Sequence, residues 1–192
     1  MVDIYLASRS PRRAALLDQI RVRYQVLEVD VDETWNGKEP PQAFVTRLAL
    51  EKARAGRRIA PEALPVLGAD TEVVLDDRIL GKPADRDAAL AMLRSLSGRS
   101  HLVYSAVALE HRSEDVRLSV TRVEFRAVTP EECLRYVDSG EPFGKSGGYG
   151  IQGLGALFVT RLEGSFSGVV GLPLLETGAL LEAAGIAPLP AA

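Results

Sequence analysis

Ile4-Tyr5-Leu6-Ala7-Ser8-Arg9-Ser10-Pro11-Arg12-Arg13 is an apolar run of strand length that passes straight into a helix start. Ile4 to Ala7 reads as a short strand. Ser10 then stands as N-cap and Pro11 at the first helical position, so a helix is expected to run to about Ile20. A strand that hands over to a helix is the unit of an α/β domain, and strand-like and helix-like segments alternate through the rest of the chain. Tyr24 to Val29 reads as a second strand. The acidic stretch Asp30-Val31-Asp32-Glu33 leads through a polar loop to Pro40-Pro41. Gln42 to Ile59 is a long helix with Val45, Leu48 and Ala49 on one stripe. Pro65 to Leu75 reads as a buried strand turned by Asp76-Asp77-Arg78, and Asp85 to Leu96 as an amphipathic helix stopped near Ser97-Gly98. His101 to Leu109 and Arg117 to Phe125 are expected to pair as strands. A helix from Pro130 to Ser139-Gly140, a strand from Ala156 to Leu162 and a helix from Leu174 to Ala184 follow, with Pro188 to Ala192 as a frayed tail.

The 192 residues suit one domain. With 46% hydrophobic and 26% charged residues, the composition is that of a soluble globular protein rather than a disordered or fibrous one. A chain of this size buries roughly 70% of its unfolded surface, so no disulfide or structural metal is needed to supplement the core. Cys133 has no partner for an intrachain disulfide, and with only His101 and His111 beside it the usual zinc ligand sets are excluded. A reducing cytosol fits. The net charge of −3 argues against a whole-surface footprint for duplex nucleic acid. No apolar run reaches the ~18–20 residues that cross a bilayer, and the short, acidic start followed by arginines reads as neither signal peptide nor membrane span.

Several residues sit where local physics disfavours them. Arg12 and Arg13 lie in a first helical turn, where the helix dipole opposes positive charge by ~0.3–1 kcal/mol each. A bound phosphate would remove the conflict; solvated surface arginines are the plain alternative. Lys52 falls on the apolar stripe of Val45, Leu48 and Ala49, so its ammonium either snorkels outward or faces a cleft. Asp70 interrupts the apolar strand, which is expensive unless the carboxylate is paired or binds a cation, and Gly68 beside it admits a ligand or another backbone at close range. Lys82, held extended by Pro83, is an exposed loop lysine or a further cation for the same site. Gly144 to Gly155 holds six glycines in twelve residues, enough for backbone N–H groups to cradle an anion or a base edge. Its Gly144-Lys145-Ser146 is no P-loop, being one residue short of the required spacing and not preceded directly by an apolar strand. With Lys145 as a further cation and Glu33 and Asp70 as acids, the inventory suits a polyphosphate with Mg²⁺ between carboxylate and phosphate oxygens.

In order along the chain, Leu6-Ala7-Ser8-Arg9-Ser10-Pro11-Arg12-Arg13, Arg47-Leu48-Ala49-Leu50-Glu51-Lys52-Ala53, Gly68-Ala69-Asp70-Thr71, Gly81-Lys82-Pro83, Tyr149-Gly150-Ile151-Gln152-Gly153 and Gly171-Leu172-Pro173-Leu174 resemble the motifs of the Maf-family nucleoside triphosphate pyrophosphatases. The resemblance covers residues 4 to 184. It implies a single domain over 1–192: a mixed twisted β-sheet flanked by helices, with two lobes around a central cleft, often dimeric and cytoplasmic. It also implies cleavage between the α and β phosphates with a divalent cation, Mg²⁺, Mn²⁺ or Co²⁺. By residue, it carries over Asp70 as general base and metal partner, Glu33 as a metal or water partner, Arg12, Arg13, Lys52 and Lys82 as phosphate clamp, and Ser8 as substrate-orienting.

Arg12, Thr71 and Gln152 match the dTTP/UTP subgroup of that family, whose relatives acting on 7-methyl-GTP typically carry Trp, Gln and Glu there. An amide such as Gln152 both donates to a pyrimidine carbonyl and accepts from N3–H, whereas a carboxylate only accepts. Two places depart from the family pattern: Glu72 replaces an apolar residue and Ser146 an alanine. Glu72 is a second metal ligand or an outward-facing residue; strand alternation puts it on the face of Asp70, which favours an added acid at the cleft rim. The expectation is a dTTP and UTP pyrophosphatase with a housecleaning or cell-division-related role, without stable nucleic acid or membrane partners. A 7-methyl-GTP pyrophosphatase and a non-catalytic nucleotide- or RNA-binding regulator are the alternatives.

Overall fold

The computed structural model describes residues 2–35 and 37–188. Ile4–Ala7 forms β1 and Pro11–Gln19 forms α1, with Pro11 in its first turn. Ser10 occupies the N-cap but its hydroxyl makes no capping bond; its N–H donates to Ser8 Oγ at 3.2 Å. Tyr24–Val26 is β2, shorter than expected, because β1 ends at Ala7 and leaves residues 28 and 29 nothing to pair with. Then come α2 (Pro41–Ile59), β3 (Val66–Leu75) and β4 (Arg78–Ile79). The left-handed Asp76 and Asp77 make the tight turn between these two strands, a conformation aspartate tolerates. The N-cap Asp85 opens α3 (Arg86–Leu96) by accepting from the Ala88 N–H at 2.8 Å. The hairpin of β5 (Ser100–Glu110) and β6 (Glu114–Phe125) leads to α4 (Pro130–Asp138), whose start is a capping box of Thr129 and Glu132.

The strand expected over Ala156 to Leu162 begins later. Leu154–Phe158 is a 3-10 turn, and only Val159–Glu163 forms β7, because β6 ends at Phe125, which pairs with Val159. The five-residue α5 (Phe166–Val170) has too few residues to show a helical period and was not expected; α6 (Leu174–Ala183) was. From residue 189 on, the expected tail lies outside the described residues.

The strands form one mixed sheet in the order β2-β1-β3-β5-β6-β7, with β4 also on β3. β1 runs parallel to β2 and β3, and the remaining pairs are antiparallel. Period-two alternation sends Leu67, Ala69, Thr71, Val73 and Leu75 of β3 to one face. Leu67 and Ala69 join a core with Leu16 and Leu17 of α1 and Leu180 and Leu181 of α6. Val73 and Leu75 join a second core with Leu90 and Leu93 of α3 and Tyr136 and Val137 of α4. Thr71 lies between the two, so the expected pair of lobes is a division of one sheet face. On the other face α2 packs Phe44, Val45, Leu48 and Ala49 against Ala106 and Ala108.

The division continues along the edge of β3. β1 accompanies β3 only to Gly68 and β4 joins it only at Val74, so Ala69 to Val73 face no strand on that side. This notch lies beyond the carboxyl end of β1, the place where open α/β sheets bind ligands.

Candidate active site

Gly68 brings the helix to the strand. A Cβ there would stand 2.3 Å from Ala49 O and 2.5 Å from Ala53 N, so only glycine lets α2 lie directly on β3. Lys52, between those two residues, faces the notch: its Nζ is 2.6 Å from Asp70 Oδ1 and 2.7 Å from Glu33 Oε1. Lys82 Nζ donates to Glu33 Oε2 at 2.8 Å. The four charges therefore alternate in a chain, Asp70, Lys52, Glu33, Lys82. Its inner end is desolvated, with Lys52 8% and Asp70 4% exposed, while Lys82 is exposed. Burial alone would raise the Glu33 pKa, but the hydrogen bonds from Lys52 and Lys82 outweigh it and hold the carboxyl at about 2. Asp70 Oδ2 is buried and has no hydrogen-bond partner among the described residues.

Glu72 is on the same strand face and lines the cleft as the expected added acid, though buried in its wall rather than open at its rim. Ser146 Oγ donates to Glu72 Oε2 at 2.6 Å and accepts from the Val73 N–H at 2.8 Å. The two departures from the family pattern are thus one contact. It satisfies a backbone donor on the open edge of β3 and fastens the 3-10 turn Ser146–Gly148 to that edge. Burial, with the Asp70 charge adding to it and Ser146 opposing, pushes the Glu72 carboxyl up to about 7.

Across the notch, Arg13 Nε donates to Gly171 O at 2.8 Å and its Nη1 to Ser8 Oγ at 3.2 Å, while Arg12 Nε donates to Val170 O at 3.4 Å. Those carbonyls close α5, a helix end that carries partial negative charge. The dipole conflict in the first turn of α1 is therefore relieved in part by another helix. Burial still lowers the pKa of both guanidinium groups, against the pull of Asp70 in the case of Arg13. Thr71 shares a 2.8 Å hydrogen bond with Ser105 Oγ and donates to Gly171 O at 3.3 Å.

The glycine-rich segment departs from its sequence reading. The N–H groups of Leu154 and Gly155, expected to be open to an anion or base, donate to the Glu141 carboxylate at 2.8 and 3.0 Å. The cradled anion is the protein's own. Lys145 Nζ donates to the Glu141 carbonyl oxygen. Gln152 is exposed, and among the described residues its amide has no protein partner.

Every site residue singled out from the sequence lines one cleft of about 920 Å³, as do Glu72, Ser146 and Glu141. Composition and spacing did not single out Glu141, although a glutamate near a cluster of glycines is the kind of anion that such a nest binds. They also missed His101, whose Nε2 is 2.8 Å from the hydroxyl of the cleft residue Tyr149 and whose pKa burial lowers to about 4. Among the described residues no group of three or more His, Cys, Asp or Glu is placed to hold a metal by itself, and no helix is long and apolar enough to cross a membrane.

Known proteins match almost the whole chain. A protein named dTTP/UTP pyrophosphatase from Alkalilimnicola ehrlichii is 54% identical over 93% of this chain and 91% of its own. Others of that name, from Saccharophagus degradans and Bordetella pertussis, are 52% and 51% identical over 94% and 96% of this chain and 88% and 93% of theirs. A solved nucleoside-triphosphatase / dITP/XTP pyrophosphatase from Mycobacterium abscessus aligns at 19% identity over 94% of each chain with a TM-score of 0.46, too loose a likeness to carry weight. The pattern of the Maf-like proteins matches residues 3–184, which takes in both lobes, α2 and the whole cleft, and the chain belongs to the Maf family.

Proposed function

We propose that this chain, as one domain, hydrolyses dTTP and UTP to the nucleoside monophosphate and pyrophosphate. The observation that carries the reading is the cleft itself: buried Asp70 with one unpartnered oxygen faces a notch ringed by the cations of α1, α2 and the glycine-rich loop. The names of the relatives at about half identity supply the substrate class.

Arg12, Arg13, Lys52, Lys82 and Lys145 receive the phosphates, and Ser8, fixed by Arg13, orients them. Most of the acceleration comes from neutralising charge and aligning the attacking water in line with the leaving pyrophosphate. Asp70 takes the proton of that water, while Lys52 on Oδ1 keeps the carboxylate in place. Gln152 reads the pyrimidine edge, with Arg12 and Thr71 completing the subgroup pattern.

A divalent cation fits this donor set. Asp70 Oδ2 is an unsatisfied buried acceptor, and Mg²⁺ is commonly held by one or two carboxylates plus substrate phosphates rather than by an all-protein cage. Asp70 and Glu33 would hold it, and when bound it supplies charge neutralisation on the phosphate oxygens. The same reading takes the protein as cytoplasmic and as a homodimer, the second of which light scattering of the purified chain tests.

Pyrophosphate release from dTTP, UTP, CTP, GTP and 7-methyl-GTP, with Mg²⁺ or Mn²⁺ and with chelator, tests the function. Metal-dependent release confined mainly to dTTP and UTP is expected. A preference for 7-methyl-GTP overturns the assignment of Arg12, Thr71 and Gln152, and binding without release from any nucleotide overturns the enzyme.

A further inference from the structure

Glu141 follows α4 and takes no part in the chemistry above, yet the glycine-rich loop is folded around its carboxylate. Oε1 accepts from the Gly155 N–H at 3.0 Å and from the Tyr136 hydroxyl at 2.8 Å; Oε2 accepts from the Leu154 N–H at 2.8 Å. The Tyr136 hydroxyl in turn accepts from the Gly150 N–H at 3.0 Å. Both limbs of the turn that carries Gln152 are therefore bound to one carboxylate, directly or through one tyrosine. A Cβ on Gly153 would stand 2.3 Å from Oε2, so the residue after Gln152 has to be glycine for the carboxylate to remain.

Gln152 is exposed and has no protein partner for its amide, so only its backbone fixes where that amide can reach. We propose that Glu141 is a positioning residue for base selection: it presets the turn from Gly150 to Gly155 so that Gln152 meets the pyrimidine edge in one orientation. Hydrogen bonds to an ionised carboxylate are about twice as strong as neutral ones, so the turn is formed before a nucleotide arrives. A preset amide spends little of its binding energy on ordering. Uracil presents a carbonyl and an N3–H where cytosine presents an amino group and a bare N3, so an amide held one way favours one base, while a loose amide rotates to suit either. The inference rests on Gln152 as the base-reading residue.

Glu141→Gln preserves shape but turns one carboxylate oxygen into an NH₂ that confronts an N–H donor of the loop. Tyr136→Phe removes the second link from a residue that does not line the cleft. For each protein, kcat and KM on UTP and CTP, the inhibition constant of inorganic tripolyphosphate and the thermal midpoint are measured. In Glu141→Gln the UTP to CTP ratio of kcat/KM should narrow about tenfold, the worth of roughly one hydrogen bond to the base. The loss should appear in KM for UTP, with tripolyphosphate inhibition no weaker, since removing the carboxylate charge beside Lys145 favours an anion there. Tyr136→Phe should move the ratio in the same direction by less, and it decides the matter if Glu141→Gln does not fold. A ratio kept while both nucleotides lose turnover equally, or tripolyphosphate affinity falling in step, overturns the inference. Wild-type protein that does not prefer UTP to CTP overturns the reading of Gln152 instead, and the inference with it.

Discussion

Replacing Gly68 by Ala places one methyl group where α2 touches β3. The new carbon would lie 2.3 Å from Ala49 O and 2.5 Å from Ala53 N, both backbone atoms that no rotamer change can move aside. Ordinary contact begins near ~3.5 Å, so the helix must retreat by about 1 Å. Overpacking of this kind costs about 1–3 kcal/mol, and for a chain this long each kcal/mol lowers the thermal midpoint by roughly 2–4 °C. Without the clash the same change would stabilise the protein by ~0.4–1 kcal/mol, through a stiffer unfolded chain, so the sign of the effect is diagnostic. Function should suffer more than stability. Lys52 rides on the displaced turn, and its 2.6 Å bond to Asp70 would stretch past the ~3.2 Å limit of a good hydrogen bond. A misplacement of ~1 Å in a catalytic array can cost about 10²-fold in rate. Urea unfolding together with kcat/KM on UTP tests both parts. A Gly68→Ala protein with an unchanged or raised midpoint and full turnover would refute the close approach and its tie to Lys52.

Asp70→Asn should lower pyrophosphate release by about 10²–10⁴-fold, the usual worth of a general base, while calorimetry still detects UTP binding; wild-type-like release removes Asp70 from the mechanism. Ser146→Ala leaves Glu72 and the Val73 N–H without their partner and should destabilise the fold by about 1–3 kcal/mol in denaturant titration. His101 is kept neutral by burial, its pKa lowered from 6.5 to about 4, so the folded state binds fewer protons than the unfolded one across that window. The contribution of His101 to stability is complete above pH 6.5 and is lost, about 3 kcal/mol, as pH drops towards 4; Glu72, raised to about 7, works in the opposite direction between its ordinary value and 7, because there the folded state holds the extra proton. His101→Gln keeps a partner for Tyr149 and should remove this loss, leaving a midpoint that falls as pH rises through the range in which Glu72 titrates; a difference from the wild-type midpoint that does not vary with pH removes His101 from the pH dependence.

Residues that violate a local rule were the legible ones. Asp70 stood inside an apolar strand and Lys52 on an apolar helix stripe, and the structure places them 2.6 Å apart, each resolving the anomaly of the other. Gly68 foretold a close neighbour, though not that the neighbour was the helix bearing Lys52. What stayed hidden depends on separation along the chain. Glu33 and Lys82 are 49 positions apart in unremarkable loops, and Glu72 and Ser146 are 74 apart, so neither residue of a pair signals the other. The glycine-rich loop, expected to seat a ligand's anion or base edge, seats the carboxylate of Glu141, 13 residues upstream of Leu154, because glycine density does not distinguish a visiting anion from a resident one. The misplaced start of β7 has a similar origin, since Ala156 to Phe158 lack a partner strand and pairing is not a local property.

The alternating chain from Asp70 to Lys82 makes ligand capture an exchange reaction. Lys52 is already shared by two carboxylates and Lys82 by one, so an arriving anion competes with seated rivals. A simple phosphate offers little more than the contacts it would displace, whereas a nucleoside triphosphate with its countercation compensates both partners at once. Under the proposed function the cleft would screen by total charge before any base is read, and a monophosphate would leave as the ion pairs of Lys52 with Glu33 and Asp70 re-form.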